Sequence, residues 1–257
     1  MRPHNKSPAA RMAADITVHS DTDTLARAAA ELVTGYLSSE AGQLAVALSG
    51  GSTPKRLYEL LASPEYAERI PWPRVHWFWG DERFVPPDDP RSNFRMFEAT
   101  VLSHAPVPTA NIHPIPTVGL TPKEATDVYV RELQKFHGGS ALRDDDPLFD
   151  VVLLGLGDDG HTASLFPGTA ALEKRSTWVA AVRSPQSEPR ITLTYPALES
   201  CRHCLFLVAG PAKKGALTAV LRGEDVPATR LEPRGQCVWL VDQSAAPSEV
   251  KLIPPQL

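Results

Sequence analysis

Several things are scarce or missing in this sequence, and each absence narrows what the chain does. Across 257 residues no apolar run approaches the ~20 residues that a bilayer-crossing helix needs, which argues against a helical membrane protein. No concentrated basic block is present: 26 Lys and Arg against 30 Asp and Glu leave a formal charge of −4 spread along the chain. A nucleic-acid partner is therefore not expected. Cysteines number three, Cys201, Cys204 and Cys237, an odd and sparse set that fits a reducing compartment better than a disulfide framework. The stretch "CRHC" has CxxC spacing with His203 inside it, but no second pair completes a metal site, and Cys204 opens the apolar run "CLFLVAG". These cysteines read as small core residues. Two catalytic signatures are also missing: no GK[ST] that would make a Walker A loop, and no G-x-S-x-G nucleophile elbow.

What is there suffices for a full core, since 42% of the residues are hydrophobic. Length alone allows one large domain or two small ones. The opening "MRPHNKSPAARMAAD" is basic and rich in Pro and Ala, without the apolar segment of a secretion signal. The expectation is a disordered leader over residues 1–14 and a single α/β domain over 15–257 of a soluble, cytoplasmic protein.

The recurring unit is a short apolar run that ends in Gly or Ser and leads into a helical pattern. "TLARAAAELVTGYL" spaces its apolar residues as an amphipathic helix, with Asp21, Thr22 or Asp23 available as its cap. "LTPKEATDVYVRELQKFHGG" carries a start signal in Thr121, Pro122 and Glu124 and a stop signal in Gly138 and Gly139. "QLAVALSG", "RVHWFWGDE", "FDVVLLGLG", "ITLTY", "CLFLVAG" and "CVWLVD" read as strands. Uniformly apolar strands alternating with helices predict a mostly parallel sheet with helices on both faces. In such sheets ligands sit beyond the carboxyl ends of the strands.

Four strand ends carry the chemistry. "SGGSTP" places Ser49, Gly50, Gly51, Ser52 and Thr53 where a strand turns into a helix with Pro54 near its first turn. Such a turn leaves backbone N–H groups facing outward, which suits a phosphate, although an ordinary glycine turn with a Ser or Thr cap has the same composition. "WGDERF" brings Asp81, Glu82 and Arg83 to the end of the aromatic strand, as loop charges or as part of the same crevice. "LLGLGDDGHTASLFPG" has glycines at 155, 157 and 160 and then His161. His161 is expected at the start of the following helix, whose positive end would keep the imidazole neutral, and Asp159 or Asp158 is its nearby carboxylate. "VAGPAKKG" sets Lys213 and Lys214 in a first helical turn, against the dipole, as an anion site or as solvated lysines.

These motifs, in this order, resemble the 6-phosphogluconolactonases, a family grouped with glucosamine-6-phosphate deaminases and ribose-5-phosphate isomerases; "GLGDDGHTASLFPG" is the most specific part. The resemblance implies a Rossmann-like three-layer α/β/α fold and hydrolysis of a small sugar-phosphate lactone, without metal or cofactor, by a monomer or weak homodimer. It implies that Ser49 to Thr53 and Lys213 hold the substrate phosphate, that Asp81 and Arg83 face the substrate, and that His161 activates water. Lys214 remains an alternative phosphate contact, and backbone N–H groups or Arg83 are alternative donors to the oxyanion. A deaminase reads like DGHIAFNEP in the related loop, with a glutamate where this chain has Phe166, and DEY where it has Asp81, Glu82 and Arg83. A non-catalytic sugar-phosphate sensor is the other alternative; it would need a DNA-reading module, for which the stretch before the first helix is expected to be too short.

Overall fold

Strands such as "LAVAL" and "VHWFW" have no polar face to offer water, and both are buried along their whole length. The computed structural model describes residues 16–183 and 188–248; the expected leader lies outside them. In chain order the regular elements are β1 (Ile16–His19), α1 (Thr22–Ser39), β2 (Leu44–Leu48), α2 (Ser52–Leu61), α3 (Pro64–Ala67), β3 (Val75–Trp79) and β4 (Asp81–Arg83). There follow α4 (Asn93–Phe97), β5 (Ile112–His113), α5 (Pro122–His137), β6 (Phe149–Gly155), β7 (Val179–Val182) and β8 (Arg190–Leu193). The chain continues through α6 (Tyr195–Glu199), β9 (Cys201–Val208), α7 (Lys214–Leu221) and β10 (Gln236–Asp242).

The main sheet has seven parallel strands in the order β1, β10, β9, β6, β2, β3, β5. With its helices it makes the expected three-layer α/β fold. After β2 the chain moves outward to β3, whereas after β6, on the other flank of β2, it moves outward to β9 and β10. The loops that leave β2 and β6 therefore diverge and open a crevice at the carboxyl ends of the strands, the topological switch point of an open sheet.

Helix signals hold where the chain carries caps. Asp21 accepts from Thr24 N–H at 2.8 Å, and Thr24 Oγ1 accepts from Asp21 N–H, closing a capping box on α1. Thr121 and Glu124 do the same for α5, which Gly138 ends at φ 78°. On α2 the alternative of an ordinary turn with a Ser or Thr cap does not hold: Gly51 is the cap residue and no side chain bonds there, so the first N–H groups of α2 stay available.

Two tyrosines hold the frame of the crevice. Tyr58 of α2 donates to Ser49 O at 2.8 Å and accepts from Ser49 N–H at 3.0 Å. Tyr129 of α5 donates to Trp79 O at 3.0 Å and accepts from Trp79 N–H at 2.8 Å. Each phenol is fully buried, and burial pushes its pKa up, so it stays protonated and serves as donor and acceptor together. Where neighbouring strands part, these side chains replace the partner strand.

The strand expected from "ITLTY" is real but does not belong to the parallel sheet. β8 pairs antiparallel with β4 and β7 in a separate three-stranded sheet. Gly80 joins the two sheets: its N–H donates to Leu48 O at 2.8 Å and its carbonyl accepts from Leu193 N–H at 2.8 Å. β9 starts at Cys201, so "CRHC" lies within a strand. Cys201 and Cys204 are buried and free, and Cys204 stands opposite the partly buried Cys237 of β10.

Candidate functional site

A cleft of about 570 Å³ opens at the switch point. Each of the four strand ends singled out by sequence reaches it. Ser49, Gly50, Gly51, Ser52 and Thr53 form one wall. Gly50 is glycine for steric reasons: a Cβ there would collide with the side chain of Asn93. Gly51 adopts φ 109°, a conformation that side chains resist, and this turns the chain from β2 into α2.

Asp159 and His161 come from the loop after β6. Asp159 Oδ1 accepts from the His161 backbone N–H at 3.1 Å and lies 2.5 Å from His161 Nδ1. Burial works against the Asp159 charge, but the hydrogen bonds from His161 outweigh it and hold the carboxyl below its usual pKa. An ionised Asp159 can only accept, so Nδ1 donates the hydrogen bond, and the tautomer this selects carries its basic lone pair on Nε2. The ring also packs against Phe166, with centroids 4.6 Å apart, and against Gly157, where any Cβ would run into it. Of the two candidate carboxylates, Asp159 is thus the partner of His161. Asp158 instead pairs with Lys213, Oδ1 to Nζ at 2.5 Å.

His161 does not start a helix. Residues 161–168 form turns, with Thr162 Oγ1 donating to Gly155 O at 2.9 Å and Leu165 N–H to Thr162 O at 3.0 Å. The dipole argument for a neutral imidazole therefore has no helix to rest on; Asp159 sets the ring's tautomer instead. Ala163, inside this turn, is the only non-glycine among the described residues with positive φ, at 48°.

The charges of β4 divide between two tasks. Asp81 borders the cleft and accepts from Ser164 Oγ at 2.5 Å. Glu82 points away into the protein. Its carboxylate accepts from the N–H groups of Arg83, Asn93 and Phe94 and from Ser92 Oγ, over 2.7–3.1 Å, and so caps α4. Burial pushes its pKa up, with the backbone donors pulling the other way. Arg83 lines the cleft and donates to the Arg91 carbonyl.

Lys213 lines the cleft, whereas Lys214 is exposed and does not. Two lining residues escaped the sequence reading. Arg190 of β8 stands opposite Arg83 in the antiparallel pair, is 4% exposed and lies 3.3 Å from Glu188. Burial and then repulsion from Arg83 pull its guanidinium pKa down. Two like charges side by side on paired strands are unfavourable alone and suit an anion between or before them. Asn93, at the start of α4, is the second. Neither sits beside a glycine motif; only the pairing of β4 with β8 and the path from β4 to α4 bring them to the site.

The chain is similar to known proteins along most of its length. A family model described as glucosamine-6-phosphate isomerases/6-phosphogluconolactonase matches residues 20–239. A 6-phosphogluconolactonase of Synechocystis is 44% identical over 210 residues, which cover 80% of this chain and 85% of that one. The solved structure of 6-phosphogluconolactonase from Trypanosoma brucei superposes with a TM-score of 0.79 at 27% identity, over 90% of this chain and 97% of that one. A monomeric glucosamine-6-phosphate deaminase superposes with a TM-score of 0.77 over 90% of this chain and 98% of its own, but at 18% identity, which shows the shared fold alone.

Proposed function

The chain belongs to the glucosamine-6-phosphate isomerase/6-phosphogluconolactonase family, and from that premise we propose that it is a lactonase, hydrolysing 6-phospho-D-glucono-1,5-lactone to 6-phospho-D-gluconate in the oxidative pentose phosphate pathway. The observation that carries this reading is the His161 and Asp159 pair in the cleft, with Phe166 packed on the imidazole. Phe166 has no proton to relay, so the ring-opening chemistry of a deaminase lacks its carboxylate, while activation of water needs only the imidazole.

The roles follow from position. The N–H groups and hydroxyls of residues 49–53 receive the phosphate together with Lys213, whose ammonium is already oriented by Asp158. Arg83 and Arg190 add positive charge on the opposite wall, and Asp81 faces the sugar. Holding the phosphate places the lactone carbonyl before His161. Nε2 takes a proton from water as its oxygen bonds to C1. As the tetrahedral intermediate collapses, the C1–O5 bond breaks and the imidazolium returns the proton to O5. Help of this kind contributes typically ~10²–10⁴-fold, enough for an ester as activated as a δ-lactone.

The same reading puts the enzyme in the cytoplasm as a monomer or weak homodimer. In support, no described helix is long and apolar enough to cross a membrane, and among the described residues Val118 is the one large apolar side chain standing exposed. The test is hydrolysis of freshly made 6-phosphogluconolactone, above its spontaneous rate, coupled to 6-phosphogluconate dehydrogenase. Glucosamine 6-phosphate is run in parallel for ammonia. Rapid hydrolysis without ammonia is the expected result; ammonia release, or binding of sugar phosphate without turnover, sinks the reading.

A further inference from the structure

Asn93 is a polar side chain only 3% exposed that nevertheless borders the cleft. Its Nδ2 donates to Asp81 O at 2.9 Å, and this bond fixes which way the amide faces. Oδ1 is then the atom lying over Gly50, so near that a Cβ on Gly50 would strike it. Among the described residues no donor reaches Oδ1, although its amide is held from behind by the bond to Asp81. The result is an oriented acceptor at the end of the cleft where residues 50–53 present their N–H groups.

An acceptor cannot serve the phosphate, whose oxygens also accept; it calls for a hydroxyl close to the phosphate. In a 6-phospho-δ-lactone the oxygen on C5 is the ring ester oxygen and carries no hydrogen. Moving away from the phosphate, the first hydroxyl is the one on C4. We infer that Asn93 Oδ1 accepts a hydrogen bond from the C4 hydroxyl of the bound sugar and makes the enzyme selective for the configuration at C4. The inference rests on the lactonase reading, with the phosphate in the loop of residues 50–53. The C4 epimer turns its hydroxyl to the other face of the ring and leaves Oδ1 unpaired in the complex.

The experiment compares kcat/KM for 6-phosphogluconolactone and for its C4 epimer, both followed by proton release, in wild type, Asn93→Ala and Asn93→Asp. Because both substrates are assayed on one preparation, the fraction of folded enzyme cancels in their ratio. Wild type is expected to favour the gluco compound about tenfold or more, and Asn93→Ala to treat the two within about twofold, the scale of one hydrogen bond. Asn93→Asp keeps an acceptor while losing the donor to Asp81, so it retains the preference with a raised KM for both substrates. A preference that survives Asn93→Ala shows that Asn93 does not set it, and one that Asn93→Asp loses as fully as Asn93→Ala shows that the bond to Asp81 is what matters; either result overturns the inference alone. Equal use of both epimers by wild type overturns it as well. Wild type that hydrolyses neither lactone overturns the lactonase reading and this inference together.

Discussion

Asp159 grips His161 twice, through the backbone N–H and through the ring at Nδ1. One carboxylate therefore sets both the position of the residue and the direction in which its imidazole is basic. His161→Ala is expected to lower kcat by about two to four orders of magnitude, with binding of 6-phosphogluconate largely intact by calorimetry. Asp159→Asn should lower kcat by less and leave KM nearly unchanged, because the ring remains but its tautomer is no longer enforced. Loss of binding that matches the loss of turnover would make His161 a substrate holder.

The same carboxylate carries a signature in acid. Its pKa is lowered in the folded protein, so it contributes stability that is fully present above the unfolded value of about 3.9 and is lost as pH falls through the lower folded value. Urea unfolding of wild type and Asp159→Asn at a series of pH values should therefore show a constant gap near neutrality. The gap should narrow below about pH 4. A gap that widens in acid would mean that the pair stabilises the protein through a protonated carboxyl.

Lys213 and Lys214 are adjacent in sequence and differ in address: only Lys213 lines the cleft. Lys213→Ala is expected to raise KM about tenfold or more, the scale of a lost charge-assisted hydrogen bond, with a smaller effect on kcat. Lys214→Ala should leave both constants near wild type. Steady-state kinetics on the two variants decides the matter, and the reverse pattern would exchange their roles.

Tyr58→Phe removes the hydroxyl that satisfies both backbone groups of Ser49. Leaving them unpaired in a buried position should cost about 1–3 kcal/mol per group at most, read as a lower midpoint in urea. KM should also rise, since Ser49 begins the wall assigned to the phosphate. Unaltered stability would mean that water enters and replaces the phenol.

Much of this arrangement was legible from residue order, for a physical reason. β2 is apolar along its whole length, and β6, β9 and β10 each carry a buried apolar run that leaves polar residues only near their ends, while glycines mark where the backbone must turn beneath a ligand. β1 and β7, at four residues each, and the two-residue β5 are too short for a periodicity to emerge. The glycine-rich loop after β6 predicts a helix that starts at His161, but residues 161–168 stay in turns that end at Pro167 and Gly168. Arg190 and Asn93 gain their places only through pairings far apart in the chain. "PRITLTY" by itself reads as a charge entering a strand, and "RSNF" as an ordinary helix cap.

The paired tyrosines have an implication for how such a cleft changes over time. Tyr58 and Tyr129 reach the ends of β2 and β3 from behind, so the scaffold that spreads those strands is built from side chains that do not line the cleft. The lining loops are then released from the task of holding the sheet open. Substitutions at their tips can alter which sugar phosphate is accepted without the backbone closing over the gap, and a new specificity can arise before any new frame has to be invented.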